Sequence, residues 1–483
     1  MEPSRKLTPK SDIPILNASF GSLTMGMINV WPSYTSSLYA SENTPLSRPM
    51  TKAEDSLLGS LPSLGAMVGT AITGVLINKL GRRKGGIILS LFSLVSWVMI
   101  ELTTSPNVVL AARFFIGVSG GGFLVFAPIF ISEVAEDSIR GTLASVPILS
   151  YGSGALISYT LGWKLTYPVI VWCQLLASIM STGVMIFVVE SPVYWIRQKK
   201  DNEARQSIAK YRGLSASSMD VHDEVSRLKQ QILPAVELIS ITADPESKEA
   251  EAEKEKLNTE NVTPEKQQRV STLKLLFLSS TSLRAFLVVI TVMSTQVFMG
   301  MVPVQVYAKT VFTQTDPARS DFYTVLFALT LVVGALVTAL VADKAGRRVL
   351  LITSSILVGS CLVTLGYLLQ SKTAPSWIIV FMILFYCFAF NFGAGAVPYV
   401  LLAEVFIPEV QNLASMIIIE WVWFLNFFIL GLFPFLNGII GIHGVFYTFA
   451  VVAFCNAIIG YFIVPETKGL SNQQIQDLFL RKN

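Results

Sequence analysis

Three short charged strings recur in this chain of 483 residues, in the same order. Gly81-Arg82-Arg83 returns as Gly346-Arg347-Arg348 at an offset of 265, Ser132-Glu133-Val134 as Ala403-Glu404-Val405 at 271, and Val189-Glu190-Ser191-Pro192 loosely as Pro465-Glu466-Thr467 at 276. Guanidinium forks match carboxylates in planar, bidentate geometry. Arg82, Arg83, Glu133, Arg140 and Glu190 in the first half, with Asp343, Arg347, Arg348, Glu404 and Glu466 in the second, therefore suit ion-pair clusters that brace a gate. A second set is uncharged: Gln296, Asn391, Trp423 and Asn426 stand in otherwise apolar runs. Carboxamides donate and accept without the desolvation cost of an ion, and an indole face packs against the C–H side of a ring, so this set fits a neutral polyhydroxylated solute.

The segments that must position these groups are too apolar for a water-soluble globule. Hydrophobic side chains make up 52% of the chain, charged ones 14%, and the mean hydropathy is +0.58. Of the 68 charged residues, 27 fall between Arg197 and Arg269, which leaves long uncharged stretches elsewhere. A helix needs about 20 apolar residues to cross a bilayer, and twelve runs qualify: roughly 14 to 40, 56 to 78, 85 to 103, 107 to 132, 141 to 163, 165 to 189, 283 to 308, 321 to 342, 348 to 371, 374 to 403, 410 to 438 and 443 to 464. They are continuous rather than alternating, which predicts helices and not a barrel. The expected fold is all-α, with twelve transmembrane helices in two pseudo-symmetric six-helix bundles over 1–190 and 283–464. A linker with surface helices and a mobile middle around Glu249–Lys256 is expected over 191–282, and a tail over 465–483. Short loops rich in Lys and Arg, at Lys79 to Lys84, Arg140 and Lys344 to Arg348, fall on the same side as both termini, which predicts that side to be cytoplasmic. Parallel repeats of this kind place a ligand site near the midplane between the halves.

The strings Asn78-Lys-Leu-Gly-Arg-Arg83, Ile131-Ser-Glu-Val-Ala-Glu-Asp-Ser-Ile-Arg-Gly-Thr142, Glu190-Ser-Pro192, Asp343-Lys-Ala-Gly-Arg-Arg348 and Pro465-Glu-Thr-Lys-Gly469 occur together with Arg113, Pro398-Tyr399 and Glu404-Val-Phe406. Jointly they resemble the sugar porter family of the major facilitator superfamily, with the flavour of its facilitated trehalose transporter-like branch in insects. The resemblance implies the major facilitator fold in the plasma membrane and gate pairs that form when the protein faces outward and break when the inside opens. It also implies a sugar site at Gln296, Asn391, Tyr399, Trp423 and Asn426. Several positions depart from that pattern. Gln411 and Val193 stand where the family has Arg, which implies a gate held by fewer pairs. Span seven reads Thr295-Gln-Val-Phe-Met-Gly-Met301 and keeps one carboxamide of the family's string, and Asn391 replaces an acidic sugar ligand.

Span one offers Asn29 but no Asp or Glu, and both histidines, His222 and His443, lie at or beyond span edges. A proton relay needs an interior group that titrates, so facilitated diffusion is the expected mode, with Glu420 in span eleven as the residue that would make a proton symporter instead. No Walker string, metal-spaced His or Cys set or Ser-His-Asp arrangement occurs, so neither catalysis nor a cofactor or metal is expected. The expected partners are a sugar and the lipid bilayer, with no nucleic acid, and a monomer as the working unit. Two alternatives stand beside the carrier: a non-transporting sugar sensor, which would be expected to carry a long cytoplasmic extension after the Pro465–Gly469 motif, and a carrier of another small polar solute.

Overall fold

The computed structural model describes residues 9–135, 143, 146–232, 272–470 and 472–480, and no strand occurs among them. The predicted Arg140 and the Glu249–Lys256 run lie outside these residues, and so does the side chain of Asp343. Span one is Pro9–Val30 continued by Pro32–Tyr39; spans two to six are Lys52–Leu80, Arg82–Leu102, Pro106–Val134, Val146–Lys164 and Tyr167–Phe187. Span seven is Ser280–Phe298 continued by Met301–Val306, span eight Ser320–Ala345, and span nine Arg347–Ser371. Span ten runs from Ser376 to Glu404 through a π-helical turn at Phe390–Ala394. Spans eleven and twelve share the continuous helix Pro408–Phe462.

Nine helices among the described residues are long and apolar enough to cross a membrane. One of them, Val410–Phe462, has 53 residues, about twice what a crossing needs, and the chain turns inside it at Gly441, where φ is 68°. Counting that helix as two and adding the shorter or more polar spans one and five gives twelve crossings, as composition implies.

Local chemistry moves several boundaries away from the hydropathy limits. Span two begins at Lys52, before the apolar run, because Thr51 and Glu54 form a capping box: the Thr51 hydroxyl accepts the Glu54 amide at 3.3 Å and the Glu54 carboxylate accepts the Thr51 amide at 2.8 Å. Span seven is broken by Gly300, whose φ of 82° suits a residue without Cβ. Span ten bends through its π-turn and not at Pro398 alone, the kink the sequence shows.

Spans two and four pack backbone against backbone. Gly65 and Gly69 on one face Gly117 and Gly121 on the other, each pair four residues apart. A Cβ on Gly65 would stand 2.0 Å from the Phe114 carbonyl oxygen, and one on Gly117 2.2 Å from that of Pro62, so the two backbones are in direct contact. Gly117→Val is therefore expected to prevent the bundle from closing, read as loss of the monodisperse peak in gel filtration of detergent-solubilised protein. An unchanged peak would contradict this packing.

After span six, the short helices Pro192–Arg197, Asp201–Arg212 and Met219–Ile232 fold back on the bundle. Ser207 donates to the Glu190 carbonyl at 2.5 Å and Tyr211 to that of Val189. Burial pushes the Tyr211 hydroxyl's pKa up, so it remains a donor. Tyr211→Phe is expected to loosen this attachment by about 1 kcal/mol, measurable as faster hydrogen exchange over residues 201–212.

Candidate functional site

At the end of the bundle that carries the Gly-Arg-Arg strings, the two halves repeat one construction. Gly81, with φ 90°, turns the chain from span two into span three, and Arg82 then points inward with 2% of its side chain exposed. Its Nε and Nη2 donate to the two oxygens of Glu133 at 2.8 and 2.5 Å, and its Nη1 donates to the Ile77 carbonyl at 3.0 Å. Glu190 takes another role than the side-chain ion pair expected of it. Its oxygens accept the backbone amides of Arg82 and Arg83 at 2.5 and 3.1 Å, which places a carboxylate at the N-terminus of span three, where the orphan amides and the helix dipole favour one.

In the second half Gly346 has φ 86°, Arg347 donates to Glu404 from Nε and Nη2 at 3.3 and 2.9 Å, and Glu466 accepts the amides of Arg347 and Arg348 at 2.9 and 3.2 Å. Arg83 is exposed, while Arg348 reaches the Tyr461 carbonyl and lies 5.6 Å from that ring's centroid. Gln411, which replaces an Arg of the resembled pattern, donates to the Ala403 carbonyl at 2.9 Å. All of these contacts stay within one half.

Contacts that join the halves lie elsewhere. Ser56 in span two donates to the Gly431 carbonyl, the Ser33 hydroxyl accepts the Lys309 amide at 2.8 Å, Tyr159 donates to the Gln305 carbonyl, and Trp163 meets Phe322 edge-on at 5.9 Å. Deeper, Thr70 donates to Glu420 at 2.5 Å, and the second Glu420 oxygen is buried without a hydrogen-bond partner.

The uncharged set divides in two. Gln296 is 7% exposed; its Nε2 is held by the Gly395 carbonyl at 3.0 Å, beside the span-ten π-turn, while its Oε1 is buried with no partner. Trp423 Nε1 and Asn426 Oδ1, one helical turn apart on span eleven, are likewise buried and unpartnered. Two acceptors and one donor are thus buried without a protein partner, a costly arrangement unless a ligand or water completes it. Tyr399 is 46% exposed. Asn391 differs: its Nδ2 donates to the Cys387 carbonyl one turn back at 2.9 Å, and its own backbone carbonyl accepts Thr338 from span eight at 2.8 Å. One of that side chain's two N–H donors is thereby spent on its own helix backbone.

Residue types alone did not single out Tyr151 and Gln305, or show that Asn29 joins them. Asn29 Nδ2 and Gln305 Nε2 both donate to the Tyr151 hydroxyl oxygen, at 2.6 and 3.1 Å, across the two halves. With its oxygen accepting twice, the Tyr151 hydroxyl is left with its proton to donate. The one available signal was Gln305, the only other carboxamide of span seven. These groups are uncharged donors and acceptors, a chemistry that suits a neutral solute bearing hydroxyls.

The comparisons with known proteins point the same way. A family model described as "Sugar (and other) transporter" matches residues 16–240 and 238–479. The facilitated trehalose transporter Tret1 of Apis mellifera ligustica is 26% identical over 473 residues, covering 96% of this chain and 88% of that protein. Solute carrier family 2, facilitated glucose transporter member 7, of Mus musculus is 25% identical over 505 residues, covering 99% and 91%. The inward open conformation of the xylose transporter XylE from E. coli superposes with a TM-score of 0.75 at 18% identity, covering 96% of this chain and 98% of that one, which establishes a common fold. Two matches that together span nearly the entire chain, one over each six-helix half, make this protein a multi-pass member of the sugar transporter family of the major facilitator superfamily.

Proposed function

We propose that the protein is a facilitative uniporter that carries a neutral sugar, such as trehalose or a hexose, across the plasma membrane by alternating access, as a monomer with both termini in the cytoplasm. The observation that carries this reading is the set of three buried, unpartnered polar atoms, Gln296 Oε1, Trp423 Nε1 and Asn426 Oδ1. Sugar hydroxyls both donate and accept, so they can pair with atoms of either kind. The names of the relatives, facilitated transporters of trehalose and of glucose, support the same substrate class. In this reading the end carrying Arg82 and Arg347 is cytoplasmic, and the cross-half contacts of Ser33, Ser56 and Tyr159 close the outer side, which corresponds to an inward-facing arrangement.

Uptake of labelled trehalose, glucose and fructose into proteoliposomes, with and without a pH gradient, tests the proposal. Saturable uptake that ignores the gradient is the expected result, and absence of uptake for every sugar would defeat the carrier reading. The bare oxygen of Glu420 favours one competing reading, proton symport. Stimulation by an inward proton gradient that vanishes in Glu420→Gln would establish symport in place of uniport.

A further inference from the structure

A proline inside a helix leaves the carbonyl four residues before it without an amide donor. Pro32 does this to Ile28 at the break of span one, and Pro62 does it to Leu58 inside span two. Both carbonyls are taken by one side chain from span four: Arg113 donates from Nη1 to Ile28 at 3.0 Å and from Nε to Leu58 at 3.1 Å. The second half repeats the device with a neutral donor. Pro434 in span eleven frees Leu430, whose carbonyl accepts the Tyr307 hydroxyl at 3.4 Å.

We propose that Arg113 and Tyr307 are surrogate backbone donors: each supplies from a neighbouring span the hydrogen bond that a proline removes, and so fixes the angle of the proline breaks in spans one, two and eleven. They are positioning residues. Arg113 is fully buried, and among the described residues no carboxylate lies within ion-pair distance of it. The nearest acid along span two, Asp55, accepts Ser36 instead. What lies against the guanidinium is the Trp31 ring, its centroid 5.3 Å away, with Trp97 edge-on to Trp31. A cation held by carbonyls and an aromatic face, with no acid beside it, acts through its directed N–H bonds. Arginine suits the task because its rigid fork reaches two helices at once, which a lysine's single ammonium does not do.

Tyr307 adds a second duty. Its ring stacks on Phe433 at 5.2 Å, and its hydroxyl lies so near Gly59 of span two that a Cβ there would be 2.3 Å away. The span-seven-to-eleven tether therefore stands at the meeting surface of the halves, where a fixed hinge angle sets how they close.

The test is a pair of double-mutant cycles on the full-length chain in lipid nanodiscs, read by equilibrium unfolding and independent of any substrate. Arg113→Met is expected to lower the folding equilibrium constant about tenfold or more per orphaned carbonyl. In a Pro32→Ala/Pro62→Ala background, where two backbone amides return, the same substitution is expected to cost less than about threefold. Equal losses in both backgrounds would overturn the proposal, because the charge or the packing of Arg113 would then be what matters. Should Arg113→Met fail to fold, the combined variant decides: recovery of folded protein supports the proposal, and failure there too overturns it. Tyr307→Phe with and without Pro434→Ala repeats the cycle with a milder change, and its loss is expected to shrink in the same way; an additive result there removes Tyr307 from the set.

Discussion

Gln296→Ala is expected to raise the KM for the transported sugar about 10- to 100-fold while leaving the amount of folded protein near wild type. Its Oε1 is buried and unpartnered, so in the proposed site it would accept a sugar hydroxyl, and removing the side chain would leave that hydroxyl without a partner. A missing partner of this kind costs roughly 1–3 kcal/mol, and a site built to hydrogen-bond a hydroxyl discriminates by that amount or more. Trp423→Ala is expected to have a comparable effect through the loss of its Nε1 donor and its aromatic face. Asn391→Ala provides the contrast. Its side chain is folded back to donate one N–H to the Cys387 carbonyl, so its removal is expected to change KM by less than about threefold and to act on the span-ten turn instead. Initial uptake rates in proteoliposomes over a range of concentrations separate these cases. A larger KM shift for Asn391→Ala than for Gln296→Ala would sink the assignment of the site.

Arg82→Ala is expected to be the more damaging of the two matched gate substitutions, costing about 3–5 kcal/mol of folding free energy, whereas Arg347→Ala costs about 1 kcal/mol. The constructions are alike but their surroundings differ. Arg82 is 2% exposed against a Glu133 that is 10% exposed, while Arg347 and Glu404 are 16% and 29% exposed. Removing Arg82 strands a largely buried carboxylate and also the Ile77 carbonyl. Removing Arg347 leaves Glu404 reached by water and still bonded to the Thr467 hydroxyl at 2.6 Å. Glu133→Gln in the Arg82→Ala background should recover part of the loss by removing the stranded charge. Unfolding monitored by tryptophan fluorescence gives the comparison, and equal losses for the two arginines would refute the burial argument.

Much of the architecture was legible because bilayer crossing is a one-dimensional constraint. An apolar run of sufficient length has one stable use, and a repeated Gly-Arg-Arg needs only a positive-φ glycine and an inward-turned arginine to rebuild the same corner twice. The pairing of Arg82 with Glu133 and of Arg347 with Glu404 follows that repeat. The capping function of Glu190 and Glu466 did not, because a carboxylate near a helix start and one near an arginine look the same in a string of residues. Spans two and seven also escaped hydropathy alone. The Thr51–Glu54 box extends the first beyond its apolar run, and Gly300 breaks the second within one.

The sequence by itself determined the twelve crossings, the duplicated halves, the positive loops and the shortage of ions in the membrane interior, since each depends on residue type and order along one helix at a time. Only the tertiary structure decided which polar atoms are spent and which remain free. Gln296 and Asn391 are both mid-membrane carboxamides. One is turned across to span ten with an acceptor to spare, and the other is folded back on its own helix. The Tyr151 oxygen is occupied as an acceptor only because Asn29 and Gln305, far away in the chain, both donate to it. Hydrogen-bonding capacity is a property of a side chain, but its availability is set by neighbours on other helices, and those neighbours exist only once the bundle has closed.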